Sequence, residues 1–227
     1  MLVGLALAAV GAGLVASSRG RRRRFDPDAS WGTEQFHDAT EFDAAPVVEI
    51  RSAFGEVRVV AGDGPGIGVR SIDVEGAGHA VRGRRSDDER GDVLRLDVHP
   101  RSSVEVTVPH GTAVRMLSAK TSIVLTGIDD VDVRSAKGTI AMRDVAGTVR
   151  VRSASEMVDL RLSRERETRS VDVEIAKALF SLAVPAARGG AYRILTAKSR
   201  VNVPPSVEGG IPIRIRGARA EIAVRAA

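Results

Sequence analysis

Histidines and cysteines are the side chains that most often bind metals or act as nucleophiles, and this 227-residue chain uses them sparingly. It contains no cysteine, which removes disulfides, thiolate zinc sites and cysteine nucleophiles together. The four histidines are His37, His79, His99 and His110. They stand too far apart in sequence for a local ligand motif, and none completes a nucleophile, histidine and acid pattern. The sequence predicts no catalytic or metal-binding histidine.

Two further segments could support chemistry of other kinds. The glycine-rich stretch 62–68 superficially suggests a phosphate loop, but it lacks the Gly-x-Gly-x-x-Gly spacing and precedes a predicted strand, so we interpret it as a turn. Asp129, Asp130 and Asp132 could coordinate calcium at a corner of the fold. The loop lacks the carbonyl-rich pattern of calcium sites, so this signal is weak. We predict no metal site and no cofactor.

Lysines indicate another activity, the binding of anions. Each of the four lysines of the chain directly follows an alanine, and in most cases the residue before that alanine is Ser or Thr. They are Lys120, Lys137, Lys177 and Lys198. This lysine stripe is a candidate interaction surface for an anionic partner. The alternative is a solvated corner whose charge discourages pairing between sheet edges.

The alanines before these lysines belong to a repeat. They recur every 17 to 22 residues, and apolar residues stand five and three positions before them and four and six positions after them. The markers are Ala119, Ala136, Ala154, Ala176, Ala197 and Ala218. Such a unit reads as a strand, a corner and a second strand. Since like residues repeat at like offsets, we predict an all-β fold in which the units stack as a single-stranded, β-helix-like β-solenoid, with an antiparallel sandwich as the competitor.

Charged residues alternate in sign at one outward position of this repeat. Four residues before successive alanines stand Arg115, Asp132, Arg150, Asp172 and Arg193. In parallel stacking these side chains would be neighbours about 4.8 Å apart, which avoids contacts between like charges. We interpret this charge ladder as structural.

The regular units account for only part of the chain. The stretch 61–111 does not keep the period, and the irregular part 47–111 is expected to cap one end of the stack, whereas 112–227 forms the regular units. Together they make a predicted β-strand-repeat domain, 47–227, behind a linker at 25–46. At the other end the units are expected to stop at Val224, with Arg219, Glu221 and Arg225 discouraging edge pairing.

The N-terminal 24 residues differ sharply from the rest. Residues 2–18 are apolar or small and carry no charge. They predict a short transmembrane helix, which is followed by the basic cluster Arg19, Arg21, Arg22, Arg23 and Arg24. The positive-inside rule favours a cytoplasmic domain behind a single-pass anchor, with the arginines near anionic lipid heads. An exported form, cleaved or not, and a start codon lying further upstream are the alternatives.

The basic cluster also explains the overall charge. Its five arginines equal the formal net charge of +5, so residues 25–227 are balanced. A balanced domain with few aromatic residues lacks the field and the stacking surfaces that nucleic-acid binding needs. We therefore predict no nucleic-acid partner.

One strand and turn carry a resemblance to a known family. The segment 104–114, Val-Glu-Val-Thr-Val-Pro-His-Gly-Thr-Ala-Val, followed by units such as Ser-Ala-Lys-Gly-Thr-Ile-Ala-Met, resembles a bacterial and archaeal family of β-strand-repeat proteins named "putative adhesins". The resemblance covers about 47–227 and implies a right-handed β-helix-like fold, often joined to a membrane segment. The family's Gly-Asp pair is mostly missing here, with 55–57 and 138–140 its nearest equivalents. No catalytic residue can be transferred.

Together these observations predict a membrane-anchored, non-catalytic scaffold or adhesin-like interaction module with a protein partner or self-association. The first alternative is an envelope domain that binds carbohydrate or lipid heads. A polysaccharide-active enzyme is a remote alternative, because Glu156 and Asp159 share one unit but lie at different corners with no second acid above or below.

Overall fold

Alternating apolar residues and few helix-forming stretches give a chain made of strands. The computed structural model describes residues 38–72, 81–88, 91–100, 102–154 and 157–227, and within these ranges it contains sixteen strands and no helix. The strands are β1 (Asp38–Asp43), β2 (Val47–Gly62), β3 (Gly66–Ile72), β4 (Val81–Asp88), β5 (Gly91–Val98), β6 (Ser103–Pro109), β7 (Ala113–Thr126), β8 (Asp129–Lys137), β9 (Thr139–Ser153), β10 (Met157–Leu162), β11 (Thr168–Ile175), β12 (Leu179–Val184), β13 (Gly190–Ala197), β14 (Arg200–Asn202), β15 (Ile211–Ala218) and β16 (Glu221–Ala226).

The strands form one mixed sheet with two arms. The first arm has the order β4-β5-β2-β7-β8-β9-β11-β15-β13, and the second has the order β1-β3-β6-β2-β7-β9-β10-β12-β16-β14. The long strands β2, β7 and β9 run through both arms. Most neighbours are parallel and in register, so that Val114 lies beside Val131 and Ile123 beside Ile140.

The inward side chains of both arms meet in a single core. Val, Ile and Leu dominate it, with Phe180 as the largest fully buried side chain. The apolar positions of the repeat are buried, except for four residues of β13, β14 and the position just after β14. These exceptions are Tyr192, Ile194, Val201 and Val203.

The prediction of a single-stranded β-solenoid is wrong. The described strands belong to one sheet that mixes parallel pairs with the antiparallel pairs β1–β3, β3–β6 and β4–β5. The units also do not follow one another in space. β15 lies between β11 and β13, and β16 lies between β12 and β14. The last unit, 211–226, is thus inserted between the two units that precede it, which a solenoid wound in sequence order does not allow.

This insertion also corrects the expected end of the sheet. Residues around Val224 were expected to form it, but Arg219, Glu221 and Arg225 lie in or beside strands that are paired on both sides. The edge strands at this end are β13 and β14 instead. At the opposite end, β1 lies within 25–46, the segment expected to be a linker, and pairs with β3.

The predicted membrane anchor is also corrected. Among the residues that the structure describes, none forms a helix long and apolar enough to cross a bilayer. The segment 2–18 and the basic cluster at 19–24, on which the prediction rested, lie outside the described residues. Single-pass membrane localisation and lipid-head partners are therefore without support and are not retained.

Candidate functional site

The structure places the lysine stripe along one corner of the fold, where each unit passes from the first arm to the second. Lys120 on β7 is in register with Lys137 on β8, and Phe54 lies beside Lys120 at the start of the row. Lys177 and Lys198 lie further along, near the edge formed by β13 and β14. The corner residue of the unit between them and Lys137 lies outside the described residues.

Arg219 completes this row, and the sequence interpretation missed it. Ala218 is in register with Ala197, so Arg219 occupies in the last unit the position that lysine holds in the others. Because the last unit is inserted, Arg219 lies between Lys177 and Lys198. The signal was present in the sequence, since Arg219 directly follows the last marker alanine, but its neighbours depend on the strand order.

Backbone hydrogen bonds fix these three corners relative to one another. The N–H of Arg219 donates to the carbonyl of Ala197 at 2.9 Å, and the N–H of Glu221 donates to the carbonyl of Ala178 at 2.9 Å. The hydroxyl of Ser199 accepts from the N–H of Ala220 at 3.1 Å. The cations therefore project from a rigid backbone.

Two of the cations hold an unusual backbone conformation. Lys198 and Arg219 have φ angles of 54° and 58°, in the left-handed region where a side chain costs about 1 kcal/mol or more. In two earlier units a glycine one position further along the corner has positive φ instead, Gly55 and Gly138. Strained non-glycine residues of this kind are concentrated at functional sites.

The corner opens into a recess of about 810 Å³. Four cations line it, together with the apolar side chain of Leu179 and a single acid, Glu221. We refer to the four cations, Lys177, Lys198, Arg200 and Arg219, as the basic corner. Within the described ranges, none of the four forms an ion pair. The recess is shallow and open, and the unpaired cations along it can attract an anion with several charges.

The charge ladder lies on the outer face of the first arm and ends in basic residues at the same edge of the sheet. Arg115, Asp132, Arg150 and Asp172 are consecutive neighbours, as the register of β7, β8, β9 and β11 shows. Arg193, the fifth predicted member, is separated from them because Arg214 lies between it and Asp172. The ladder therefore ends in two adjacent arginines. 

The neighbouring outward column ends in a similar way. Arg216 lies beside Leu195, whose side chain is 54% exposed. In the part of the chain that the structure describes, Arg193, Arg214 and Arg216 have no ion-pair partner. This end of the sheet is basic on its outer face as well as at its corner.

The edge strand β13 is less covered than its neighbours. Tyr192 and Ile194 point into the core but are only partly buried, because no strand beyond β13 covers them. Burial still raises the pKa of the Tyr192 hydroxyl above its ordinary value.

The aspartates considered for calcium are occupied by arginines. Arg166 donates to Asp129 at 2.8 Å, Arg169 donates to Asp130, and Arg134 lies 3.4 Å from Asp132. Partial burial would raise the pKa of Asp130, but hydrogen bonds from Arg169 and from the N–H of Thr148 lower it below its ordinary value. Among the described residues, no three His, Asp or Glu side chains cluster as metal ligands would.

The remaining candidates are also spread apart. His110 lies 3.3 Å from the exposed Asp63, and His99 is exposed, while His37 and His79 lie outside the described residues. Asp159 pairs with Arg143 at 2.9 Å, and Glu156 lies outside the described side chains. The segment 62–68 joins β2 to β3 as a turn.

Several solved structures match this chain over most of its length. A protein from Clostridium sporogenes ATCC 15579, named a "putative cell adhesion protein", matches with a TM-score of 0.53 and 8% identity over 84% of this chain and 99% of that one. A "putative adhesin" from Bacteroides fragilis NCTC 9343 matches with a TM-score of 0.33 and 12% identity over 84% and 96%. A "putative lipid binding protein" from Parabacteroides distasonis ATCC 8503 matches with a TM-score of 0.31 and 9% identity over 83% and 96%.

At these identities the likeness concerns the fold, and of these three structures the Clostridium protein alone has a TM-score above 0.5. No protein-family model and no curated protein matches the chain.

Proposed function

We propose that the protein is a non-catalytic interaction module that binds an anionic partner at the basic corner. The observation that carries this proposal is the shallow recess that Lys177, Lys198, Arg200 and Arg219 line together with a single acid, Glu221, which lies beside Arg200. Residues 25–227 are balanced in charge, so this concentration is local. The adhesion name of the Clostridium protein of similar fold supports an interaction role.

The arrangement suits a partner with several regularly spaced charges. Lys177, Arg219 and Lys198 stem from neighbouring strand connections, and adjacent strands lie about 4.8 Å apart. A row of cations at that spacing can engage successive anionic groups of one extended molecule. A single small anion would use only part of the row.

A module for neutral carbohydrate is supported less well. Such sites use exposed aromatic faces, and among the exposed large apolar side chains of the described residues only Phe54 is aromatic. Phe54 lies beside Lys120, at the far end of the corner from the recess.

Binding of dextran sulfate by isothermal titration calorimetry, at several salt concentrations, tests the proposal. The double variant Lys198→Ala, Arg219→Ala is expected to bind at least about tenfold more weakly, because two charge contacts of about 1 kcal/mol each are lost. Its affinity is also expected to depend less steeply on salt.

The double variant Lys120→Ala, Lys137→Ala is the matched control, since it too removes two positive charges from the corner position, but outside the recess. Its affinity is expected to stay close to that of the wild type. Equal losses in the control and the recess variant would show diffuse attraction to a basic surface. Unchanged binding by the recess variant would contradict the proposal.

A further inference from the structure

One side of β13 has backbone groups that no strand satisfies. On the side away from β15, the N–H of Tyr192 donates to the hydroxyl of Ser206 at 3.1 Å, and the carbonyl of Gly190 accepts from the N–H of Val207 at 2.9 Å. The connection after β14 thus covers the first half of this edge.

The second half of the same edge is open. Backbone groups of successive residues in a strand point to opposite edges, so those of Ile194 and Thr196 point the same way as those of Gly190 and Tyr192. The N–H of Arg219 donates to Ala197, which lies on the other side as this alternation requires. In the described part of the chain, no strand pairs with Ile194 or Thr196 on the open side. 

The side chains around this open edge are incompletely covered. Ile194 is only partly buried, whereas its counterparts in the two neighbouring strands, Val173 and Ile215, are fully buried. Leu195 is more than half exposed on the outer face. An added strand would complete the core under Ile194 and lay side chains beside Leu195.

The charge near this edge indicates which kind of strand can pair with it. Arg193 lies beside Arg214, and Arg216 lies in the next outward column. Pairing of β13 with β13 of a second copy would bring the arginines of both copies together, and like charges on neighbouring strands are destabilising. An acidic strand would instead place a carboxylate beside the unpaired Arg193, at the edge of this basic face.

We infer that the open edge of β13 binds an extended acidic segment of a partner polypeptide, which joins the sheet as a further strand beside Ile194 and Thr196. This inference rests on the proposed function and names the chemical class of the anionic partner. Main-chain hydrogen bonds supply affinity in this mode, and side chains at alternate positions supply specificity. The basic corner lies at the end of the same strand, where it can receive further acidic residues of that segment.

Substitution of Thr196 separates strand addition from simple charge attraction. Thr196→Pro removes the outward N–H, and an edge strand tolerates proline where that N–H faces solvent. Thr196→Ala removes the side chain and keeps the N–H, so it is the matched control. The probe is a labelled synthetic peptide that alternates Glu and Val, and dextran sulfate serves as the second probe.

The expected result is that the wild type and Thr196→Ala bind the peptide, while Thr196→Pro binds it at least about tenfold more weakly, with dextran sulfate binding unchanged in all three. If Thr196→Pro does not fold, a peptide N-methylated at alternate residues gives the same comparison on the wild type, which should bind it at least about tenfold more weakly.

The failures of the two proposals are distinguishable. Equal peptide binding by Thr196→Pro and Thr196→Ala, or by the methylated and unmethylated peptides, overturns strand addition and leaves the basic corner as the site. Binding of dextran sulfate without any binding of the peptide has the same consequence. Failure of both probes to bind the wild type overturns the proposed function, and this inference with it.

Discussion

Arg193 and Arg214 lie directly beside one another in the register of the parallel strands β13 and β15. Both side chains are exposed, and neither has an ion-pair partner among the described residues. At the spacing of adjacent strands, about 4.8 Å, two guanidinium groups repel each other. The edge of the sheet therefore retains an unfavourable pair that an acidic partner would relieve.

Reversal of one charge in this pair should stabilise the protein. Arg193→Glu is expected to raise the free energy of unfolding by about 0.5 kcal/mol at low salt, because repulsion becomes attraction. Arg150→Glu is the matched comparison, since Arg150 lies between Asp132 and Asp172. That variant should lose a similar amount. Urea unfolding at low and high salt measures both effects, and both should shrink in salt.

The core differs between the middle of the sheet and its edge. Val151 is fully buried, whereas Val201, at another inward position of the repeat, is 42% exposed. Val151→Asp is expected to cost about 3 kcal/mol or more, because the carboxylate loses water without gaining a partner. Val201→Asp should cost less than about 1 kcal/mol. Thermal unfolding of both variants checks the contrast, and similar melting temperatures would contradict the placement of β14 at the edge.

The conformation of Lys198 predicts a conflict between stability and binding. Lys198→Gly is expected to raise the free energy of unfolding by about 0.5 kcal/mol, because relief of about 1 to 2 kcal/mol of strain at positive φ exceeds the entropic cost of glycine, about 0.5 to 1 kcal/mol. The same variant should bind dextran sulfate more weakly, since a cation of the basic corner is lost. Lys177→Gly serves as the control, because Lys177 does not have positive φ and glycine there should lower stability by about 0.5 to 1 kcal/mol. Chemical denaturation and calorimetry on the two variants make the comparison.

Tyr192 gives a pH-dependent measure of the edge strand. It is the single tyrosine of the chain, so the absorbance of tyrosinate reports its ionisation alone. Burial raises its pKa above the ordinary value of 10.0 in the folded state, so the folded chain holds this proton more tightly than the unfolded chain. The free energy of unfolding should therefore fall as pH rises from about 10 through the folded pKa. A titration midpoint equal to that of the urea-unfolded chain would contradict the partial burial of Tyr192.

The local elements of this fold were predictable, because their cause is local. Alternation of apolar and polar residues identified the inward positions, and most of them, such as Val151 and Ile215, are buried. The neighbours Arg115 and Asp132 followed from equal offsets within the repeat. In both cases the side chain's own unit determines where it points.

The order of the strands was not predictable in the same way. The unit 190–203 carries Tyr192 and Ile194 at its inward positions, so it is as apolar as its neighbours. Nothing in its sequence indicates that another unit will lie between it and the strand that carries Asp172. That choice depends on how well whole strands pair across the sheet. One sequence feature does accompany it, the connection 203–210, which contains two prolines and two glycines and gives the chain length to turn back. The composition of the basic corner was unpredictable for the same reason, since Arg219 lies between Lys177 and Lys198 only because of this strand order.

The insertion of the last unit also affects the order in which strands can pair during synthesis. The ribosome releases β13 and β14 before β15 and β16, yet their partners in the sheet are β15 and β16. The strands β13 and β14 therefore lack their final partners until β15 and β16 have paired with β11 and β12. During that interval the position beside β11 that β15 will occupy is open to β13. Asp172 of β11 would attract Arg193 of β13, so charge favours this early pairing. An early neighbour and a final neighbour can thus compete for the same strand position, and a slow late phase in refolding kinetics would report that competition.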